Sequence, residues 1–469
     1  MFANLIGSIS GWLYGYILIF LLIAAGIYFT IKTNFVQFRL MGESFRVIME
    51  KRSSQEAASS FQAMMVSTAS RVGTGNIIGV STAVCLGGAG AVFWMWVIAI
   101  LGGASAFIES TLAQIYKRKD GQGRFYGGPA YYIESVLKNK PLAIIFAISL
   151  ILTYGAGFNM LASYNLQSTF EVYGFYQSNP TLSAVLIGAI VAGFVFYCLM
   201  GGGKRIIGVA TLLVPVMGLL YIVIALLAIL THLSSLPAIF ANIFSNAFDF
   251  SSIFGGLAGS CLVFGIKRGL YSNEAGVGSA PNAAAAADVS HPVKQGLVQM
   301  MSVFIDTLVL CTCTAFILLC SGVEANANMA GAPYVQAAFQ SILGGAGPIF
   351  ITLCMALFAF TTLIGNLFYV DNALIYLNGQ RMPSASAFLI YRIIAVVLIF
   401  IGAIIKMGLA WDIADVLMGI MALINVPVIV LIGSRAIAAL NDYIEQKKAG
   451  KNPVFQASSI GLTDTECWK

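Results

Sequence analysis

Two stretches of this chain put polar chemistry inside long apolar runs. The first is Arg71–Gly79, RVGTGNIIG, and the second is Phe264–Gly278, FGIKRGLYSNEAGVG. Glycine weakens a helix interior, so both runs are expected to break. A broken helix leaves N–H groups free where its second half starts and carbonyls free where its first half ends. The N–H groups attract a carboxylate, and the carbonyls attract cations. Gly75 and Gly79 also have the GxxxG spacing of a packing face, which accounts for the glycines but not for Arg71 and Asn76 at similar depth. A phosphate-binding loop does not fit, because no Gly-Lys-Ser/Thr follows. Seven ionisable residues fall within apolar runs: Arg71, Glu109, Lys267, Arg268, Glu274, Asp306 and Asp371. A charge at the bilayer centre costs at least about 2.5 kcal/mol on insertion scales, so partners are expected. Glu274 and Asp371 also read as residues near helix ends, wetted from the cytoplasm.

The elements that carry these residues must be membrane helices. Of 469 residues, 59% are hydrophobic and 9% charged, and mean hydropathy is +0.88; a soluble chain carries roughly 25% charged residues. A crossing helix needs about 20 apolar residues. Eleven segments qualify, near 12–33, 57–84, 90–116, 141–168, 181–200, 207–231, 253–280, 293–320, 347–377, 386–406 and 413–440. They are too long for barrel strands of about ten residues. The fold class is therefore all-α and polytopic. No Lys or Arg precedes the first apolar run, so the start does not read as a cleaved signal peptide.

With the N-terminus outside, the inner loops and the tail receive all but four of the 25 basic residues. The exceptions are Lys406 in an outer loop and Arg71, Lys267 and Arg268 within spans. A bias this one-sided sets the orientation, with the C-terminus cytoplasmic. It also explains the net charge of +6 as a cytoplasmic rim, with no nucleic-acid partner: no basic stretch is interleaved with aromatics. Residues 1–56 read as an extra helix and loop, 57–231 as a first five-helix unit, 232–440 as an outer loop and a second unit, and 441–469 as a cytoplasmic tail. An odd helix number inverts the second unit relative to the first, and each unit opens with a broken helix. Such a matched pair points to a transporter's binding site.

The remaining reactive residues argue against other classes. The eight cysteines, Cys85, Cys198, Cys261, Cys311, Cys313, Cys320, Cys354 and Cys467, contain no CxxC and read as packing residues. His232 and His291 are the two histidines and lie beside loops, which leaves no metal cluster and no nucleophile–base set for an enzyme. No filter signature suggests a channel.

Several blocks resemble the alanine or glycine:cation symporter family. They are GTGNIIGVSTAVCLGGAGAVFWMW (Gly73–Trp96), YGGPAYYIE (Tyr126–Glu134), GGKRI (Gly202–Ile206) and RGLYSNEAGVGSAP (Arg268–Pro281). HPVKQGLVQMMSVFIDTLVLCTCTA (His291–Ala315) and LFAFTTLIG (Leu357–Gly365) complete the set, and the likeness runs from roughly 15 to 440. The resemblance implies the leucine-transporter fold, a 5+5 inverted repeat plus one N-terminal helix, in a cell membrane. It further implies sodium-coupled uptake of a small neutral amino acid by alternating access, with sodium as the co-transported ion. The chain departs from the family pattern at Asn366, where a Trp is frequent, and at Phe158–Tyr164 (FNMLASY), where Gly-Asn-Met-Val-Gln-Ala-Asn is frequent. These departures leave serine, asparagine or glutamine open as substrates beside alanine and glycine. Proton coupling through Glu274 or Asp306 is the alternative to sodium.

The resemblance then assigns roles. Thr74, Gly75 and Asn76 would bind the substrate carboxylate, and carbonyls near Phe264, Gly265 and Ile266 its ammonium. Met160, Ser163 and Asn366 would face its side chain. Sodium would lie between the hydroxyls of Thr361 and Thr362 and the carbonyls of Ala69, Val72 and Phe358. Arg71, with Glu109, Glu274 or Asp306, would form an inner gate, in a charge network that includes Lys267 and Arg268. The expected partners are thus the amino acid, sodium and the lipid bilayer; the oligomeric state is left open.

Overall fold

The computed structural model describes residues 2–50, 57–121, 123–248 and 260–468. Basic Lys51, Arg52 and Lys469, and the first part of the expected 253–280 span, lie outside them. Among the described residues nine helices are long and apolar enough to cross a membrane. They are α1 (Ala3–Lys32), α4 (Gly90–Ile115), α5 (Lys140–Ser168), α6 (Pro180–Leu199), α7 (Gly202–Leu230), α9 (Pro292–Cys320), α10 (Ala346–Leu377), α11 (Ala385–Gly402) and α12 (Gly408–Ile432). The two expected spans missing from this set are the glycine-bearing ones. The first is divided into α2 (Ser60–Arg71) and α3 (Gly75–Gly87). Of the second, α8 (Cys261–Asn273) is followed by turns to Ala280. α2 and α3 are each too short to cross alone, so the first of the two absences marks a break; the second span begins outside the described residues.

The buried fraction of each helix sorts them into layers. Two-thirds of the most apolar window of α4 and of α10 is buried (67%), against 17% for α11. α4 and α10 are therefore central and α11 faces outward. Close approach explains how α8 reaches α4: an added Cβ on Gly265 would come within 2.5 Å of the Ala91 carbonyl, and one on Gly269 within 2.6 Å of Ile98. α1 packs on α4 in the same way, where Gly26 meets Leu101. Four helices contain π-turns, at Leu13–Leu18, Gly75–Gly79, Ile151–Gly157 and Ile305–Cys311. Such turns are frequent at functional positions.

The tail, expected as a cytoplasmic extension, is folded against one end of the bundle. After α13 (Ser434–Lys448) the chain returns to the ends of α4 and α9. The Phe455 N–H donates to the Ser290 carbonyl (2.9 Å), and the Trp468 indole N–H donates to the Gln114 carbonyl (2.7 Å). Arg118–Glu466 (2.9 Å) and Arg435–Asp464 (2.7 Å) tie it further. Beneath it Lys117 is buried, donating to the Ala287 carbonyl (3.0 Å) with its ammonium 4.0 Å from the Phe125 ring and 4.7 Å from the Trp468 ring.

Burial pulls the Lys117 ammonium down from the ordinary lysine value to about 8. Between pH 8 and roughly 10.4 the unfolded chain binds a proton that the folded chain has released, so stability rises with pH across that window. The apparent melting temperature of purified protein is expected to climb there, and the climb to flatten in Lys117→Met. Equal slopes for the two proteins would show that Lys117 is not the source.

Candidate transport site

The site is built where α2 ends and α3 begins. α2 starts in a capping box: the Gln62 N–H donates to Ser59 Oγ (3.1 Å) and the Ser59 N–H to Gln62 Oε1 (3.0 Å). At Val72 the backbone leaves the helix (φ −75°, ψ 87°). The Gly73 N–H donates to Asn76 Oδ1 (2.8 Å), so the Ala69 carbonyl loses the partner that a continuous helix would give it. Asn76 Nδ2 donates to Asp306 Oδ1 (2.7 Å), and Asp306 also accepts from Ser272 (2.7 Å) and Thr307 (2.8 Å). Asn76 is thus committed to holding the break, and its own N–H donates to the Gly73 carbonyl (3.3 Å). Thr74 and Gly75 remain at the N-terminus of the second half.

Aromatic rings close over this point. Tyr271 lies so near Gly75 that an added Cβ would stand 2.8 Å from its ring. Tyr271 packs on Phe158 (4.8 Å) and Trp411 (4.9 Å). Thr74 Oγ1 accepts from Asn165 Nδ2 (3.0 Å) and lies 3.4 Å from the Tyr271 hydroxyl. Thr74, Asn76 and Tyr271 are all buried.

Within the second break, the helix ends two turns beyond the expected freed carbonyls. Phe264, Gly265 and Ile266 belong to the unbroken part of α8, and their carbonyls are not freed. Gly265 serves packing against α4 instead. The helix ends where Glu274 turns left-handed (φ 54°), and Gly276 (φ 84°) and Gly278 (φ 90°) carry the turns that follow. The Glu274 N–H takes the Leu270 carbonyl (2.9 Å), and the last turn of α8 packs on the start of α3. Gly75 and Ser272 are close enough that a Cβ on the glycine would contact the Ser272 Cα at 3.6 Å. A helix start and a helix end therefore meet at one point.

α10 supplies the third wall. Gly365 lets it approach until an added Cβ would stand 2.8 Å from the Ser70 nitrogen and 3.1 Å from the Ala69 carbonyl carbon. Thr362 sits against Gly73, where an added Cβ would collide with its hydroxyl; that buried hydroxyl has no hydrogen-bond partner. Ala69 and Thr362 are thus brought together, next to Val72. Thr361 differs: its hydroxyl donates back to the carbonyls of Leu357 (3.0 Å) and Phe358 (3.0 Å), which also occupies the Phe358 carbonyl. This is the usual behaviour of threonine in membrane helices.

On the side-chain face, Asn366 donates to Asn159 Oδ1 (2.9 Å), and its Oδ1 lies 2.6 Å from Ser70 Oγ. Ser163 is buried with an unpartnered hydroxyl. Met160 does not face the break: its backbone packs on Gly402 of α11, where an added Cβ would stand 2.5 Å from the Met160 carbonyl. Asn159 and Asn165 take the expected place of Met160. Unpartnered Asn159 Nδ2 and Asn165 Oδ1 are atoms that a polar ligand would satisfy.

The charges pair differently from expectation. Arg71 is buried and, among the described residues, makes no ion pair; its Nη1 donates to the Gln299 carbonyl, Gln299 Oε1 and Ser302 Oγ, each at 3.3 Å, and its Nε and Nη2 find no partner there. Glu274 accepts from Ser279 (2.6 Å) and Ser70 (2.9 Å). Glu109 accepts from the Gly276 N–H (3.2 Å) and Asn425 (2.8 Å). Serines, amides and backbone have replaced the expected arginine pairing. Lys267 (2.8 Å) and Arg268 (2.7 Å) share Asp415 on α12, a residue not foreseen. Arg268 also stacks on Trp411 (3.8 Å), the ring that packs on Tyr271. The signal for Asp415 was an acid within the WDIADVL run near the start of the last apolar segment.

Nine helices long and apolar enough to cross a membrane, among the described residues, make this a multi-pass membrane protein, and its relatives make it a transporter rather than an enzyme. The chain belongs to the sodium:alanine symporter family, whose model matches residues 1–457; members couple amino-acid transport to sodium. It is 43% identical over 470 residues to the amino-acid carrier protein AlsT of Bacillus subtilis (100% of this chain, 98% of the relative). It is also 43% identical over 468 residues to the probable sodium/glutamine symporter GlnT of the same organism (99% and 96%). The sodium/alanine symporter AgcS of Methanococcus maripaludis is 34% identical over 453 residues (95% and 98%).

The Gly365 contact can be tested directly. Gly365→Ala places a methyl against backbone that has no room to yield, and sodium-driven uptake per inserted protein is expected to fall at least tenfold. Gly218→Ala, with open space around it, is expected to stay within twofold. Full activity of Gly365→Ala would mean that the α10 approach is not required.

Proposed function

We propose that this chain carries a neutral amino acid inward with sodium by alternating access, through eleven crossings arranged as two inverted five-helix units and one N-terminal helix. The observation that carries this reading is the meeting of the α3 start with the α8 end beside α10. A zwitterion needs N–H donors and carbonyl acceptors a few ångströms apart, and this junction supplies both. The substrate carboxylate is assigned to the N–H groups of Thr74 and Gly75. Its ammonium is assigned to the last-turn carbonyls of Tyr271, Ser272 and Asn273, and its side chain to Asn159, Ser163 and Asn165. Sodium is assigned to the Ala69 and Val72 carbonyls and the Thr362 hydroxyl.

The Arg268–Asp415 pair over Trp411 and Tyr271 acts as the outer gate, closed in this structure. The orientation follows from the end where basic residues gather. Lys117, Arg118, Lys294 and Arg435 all pack around the folded tail or the 287–291 loop, and that end is assigned to the cytoplasm. Alanine and glycine are the first candidate substrates. The unpartnered amide and hydroxyl atoms on α5, together with the likeness to GlnT, support glutamine as the second.

Purified protein in proteoliposomes is expected to accumulate labelled alanine or glutamine under an inward sodium gradient, and to fail under a potassium gradient. Accumulation of neither, with sodium present, would overturn the reading. Uptake that follows a proton gradient and ignores sodium would replace sodium by proton coupling.

A further inference from the structure

Toward the end assigned to the cytoplasm, a cavity of about 120 Å³ is lined by the segments that flank the broken helices, by the 120–126 loop and by α7 and α10. Ala58 leads into α2 and Ala286 follows the second break, while Ile207 stands on α7 and Phe368, Asp371 and Ile375 on α10. Asp371 is five residues past Asn366, roughly 7.5 Å along the same helix. Its Oδ1 is buried without a hydrogen-bond partner. Arg392 on α11 is the cation that acts on Asp371, yet it forms no ion pair with it, and its own Nε is unpartnered. Lys204 and Arg124 line the same cavity; Arg124 is paired to Asp120 at 2.8 Å.

We propose that this cavity is a second binding site for the transported amino acid, occupied as it passes between the central site and the cytoplasm, with Asp371 receiving its ammonium group. The inference rests on the amino-acid reading above and adds a station that the central site does not contain. The cavity is roughly ten times the ~10–15 Å³ that a single water requires, so it accommodates a small organic molecule. A bare hard cation wants several oxygen ligands; of the acids lining the cavity, Asp120 is already paired to Arg124, and Ile207, Phe368, Ile375, Met382 and Phe388 make much of the wall apolar, which suits an organic ammonium better. An ammonium on Asp371 with an apolar or short polar side chain along those walls uses both features. The backbone and polar groups of the 120–126 loop, which line the same cavity, face the carboxylate end of such a ligand only as neighbours, so Asp371 carries the recognition.

The test compares the two faces of the membrane. Right-side-out and inside-out vesicles carrying the full chain are assayed with labelled alanine and labelled glutamine, and the half-saturating concentration is measured from each face. Asp371→Asn is expected to raise the ratio of inner to outer half-saturating concentration at least fivefold, and Asp371→Glu to bring most of it back. Ile207→Trp, which fills the cavity without altering charge, is expected to raise the ratio in the same direction. An unchanged ratio in both Asp371→Asn and Ile207→Trp, or equal losses from both faces in correctly inserted protein, would overturn the proposal. If wild-type vesicles carry neither amino acid with sodium, the functional reading itself has failed, and the second site falls with it.

Discussion

The structure turns on the hydrogen bond from the Gly73 N–H to the Asn76 side chain. At membrane depth no water is present to satisfy a freed backbone group, so a helix breaks only where protein supplies the missing partners. Asn76 supplies one by accepting from Gly73, and it is fixed in turn by Asp306. Asp306 is fixed by Ser272 and Thr307. This chain of contacts links three elements, since Asn76 begins α3, Ser272 ends α8 and Asp306 lies in the π-turn of α9. Once the Asn76 oxygen takes the Gly73 N–H, the Ala69 carbonyl is left without its helical partner, where α10 packs on the Ala69 backbone at Gly365.

Close packing and charge then hold the junction in one state. Gly365 and Gly73 let α10 and the break approach to contact distance, and Tyr271 covers Gly75. Around them Arg71 keeps two nitrogens unpartnered while Glu109, Glu274 and Asp306 are held by neutral donors. Next to Trp411 and Tyr271, Arg268 and Lys267 share Asp415. The folded tail ties the other end of α4 to the 287–291 loop, at the mouth through which the site would have to open inward.

Much of this was legible in the sequence, and the failures have physical reasons. Apolar run length located the crossing helices, and the glycine–amide–charge pattern located both breaks. Within the second break, the freed carbonyls were placed two turns early, at Phe264–Ile266, because glycine has two uses in a membrane helix. Gly265 and Gly269 admit a neighbouring helix, whereas Gly276 and Gly278 permit positive φ, and spacing alone does not separate them. Arg71 was expected to find a carboxylate, but burial allowed serines and amides to claim the carboxylates first. Asp415 was missed because its partner Arg268 is 147 residues away in sequence. Met160 was expected at the substrate, but its backbone packs on Gly402 while its neighbour Asn159 bonds Asn366. The cavity at Asp371 had no sequence signal beyond a single acid in an apolar run.

The central claim is that breaking the helix creates the sodium site, from a freed carbonyl and an unpartnered hydroxyl. The sodium dependence of uptake in Thr362→Ala, set beside that in Thr361→Ala, tests it most directly. The account predicts that the half-saturating sodium concentration rises at least tenfold in Thr362→Ala, returns toward wild type in Thr362→Ser, and stays within about twofold in Thr361→Ala. An unchanged sodium dependence in Thr362→Ala, or a larger effect in Thr361→Ala, would contradict it.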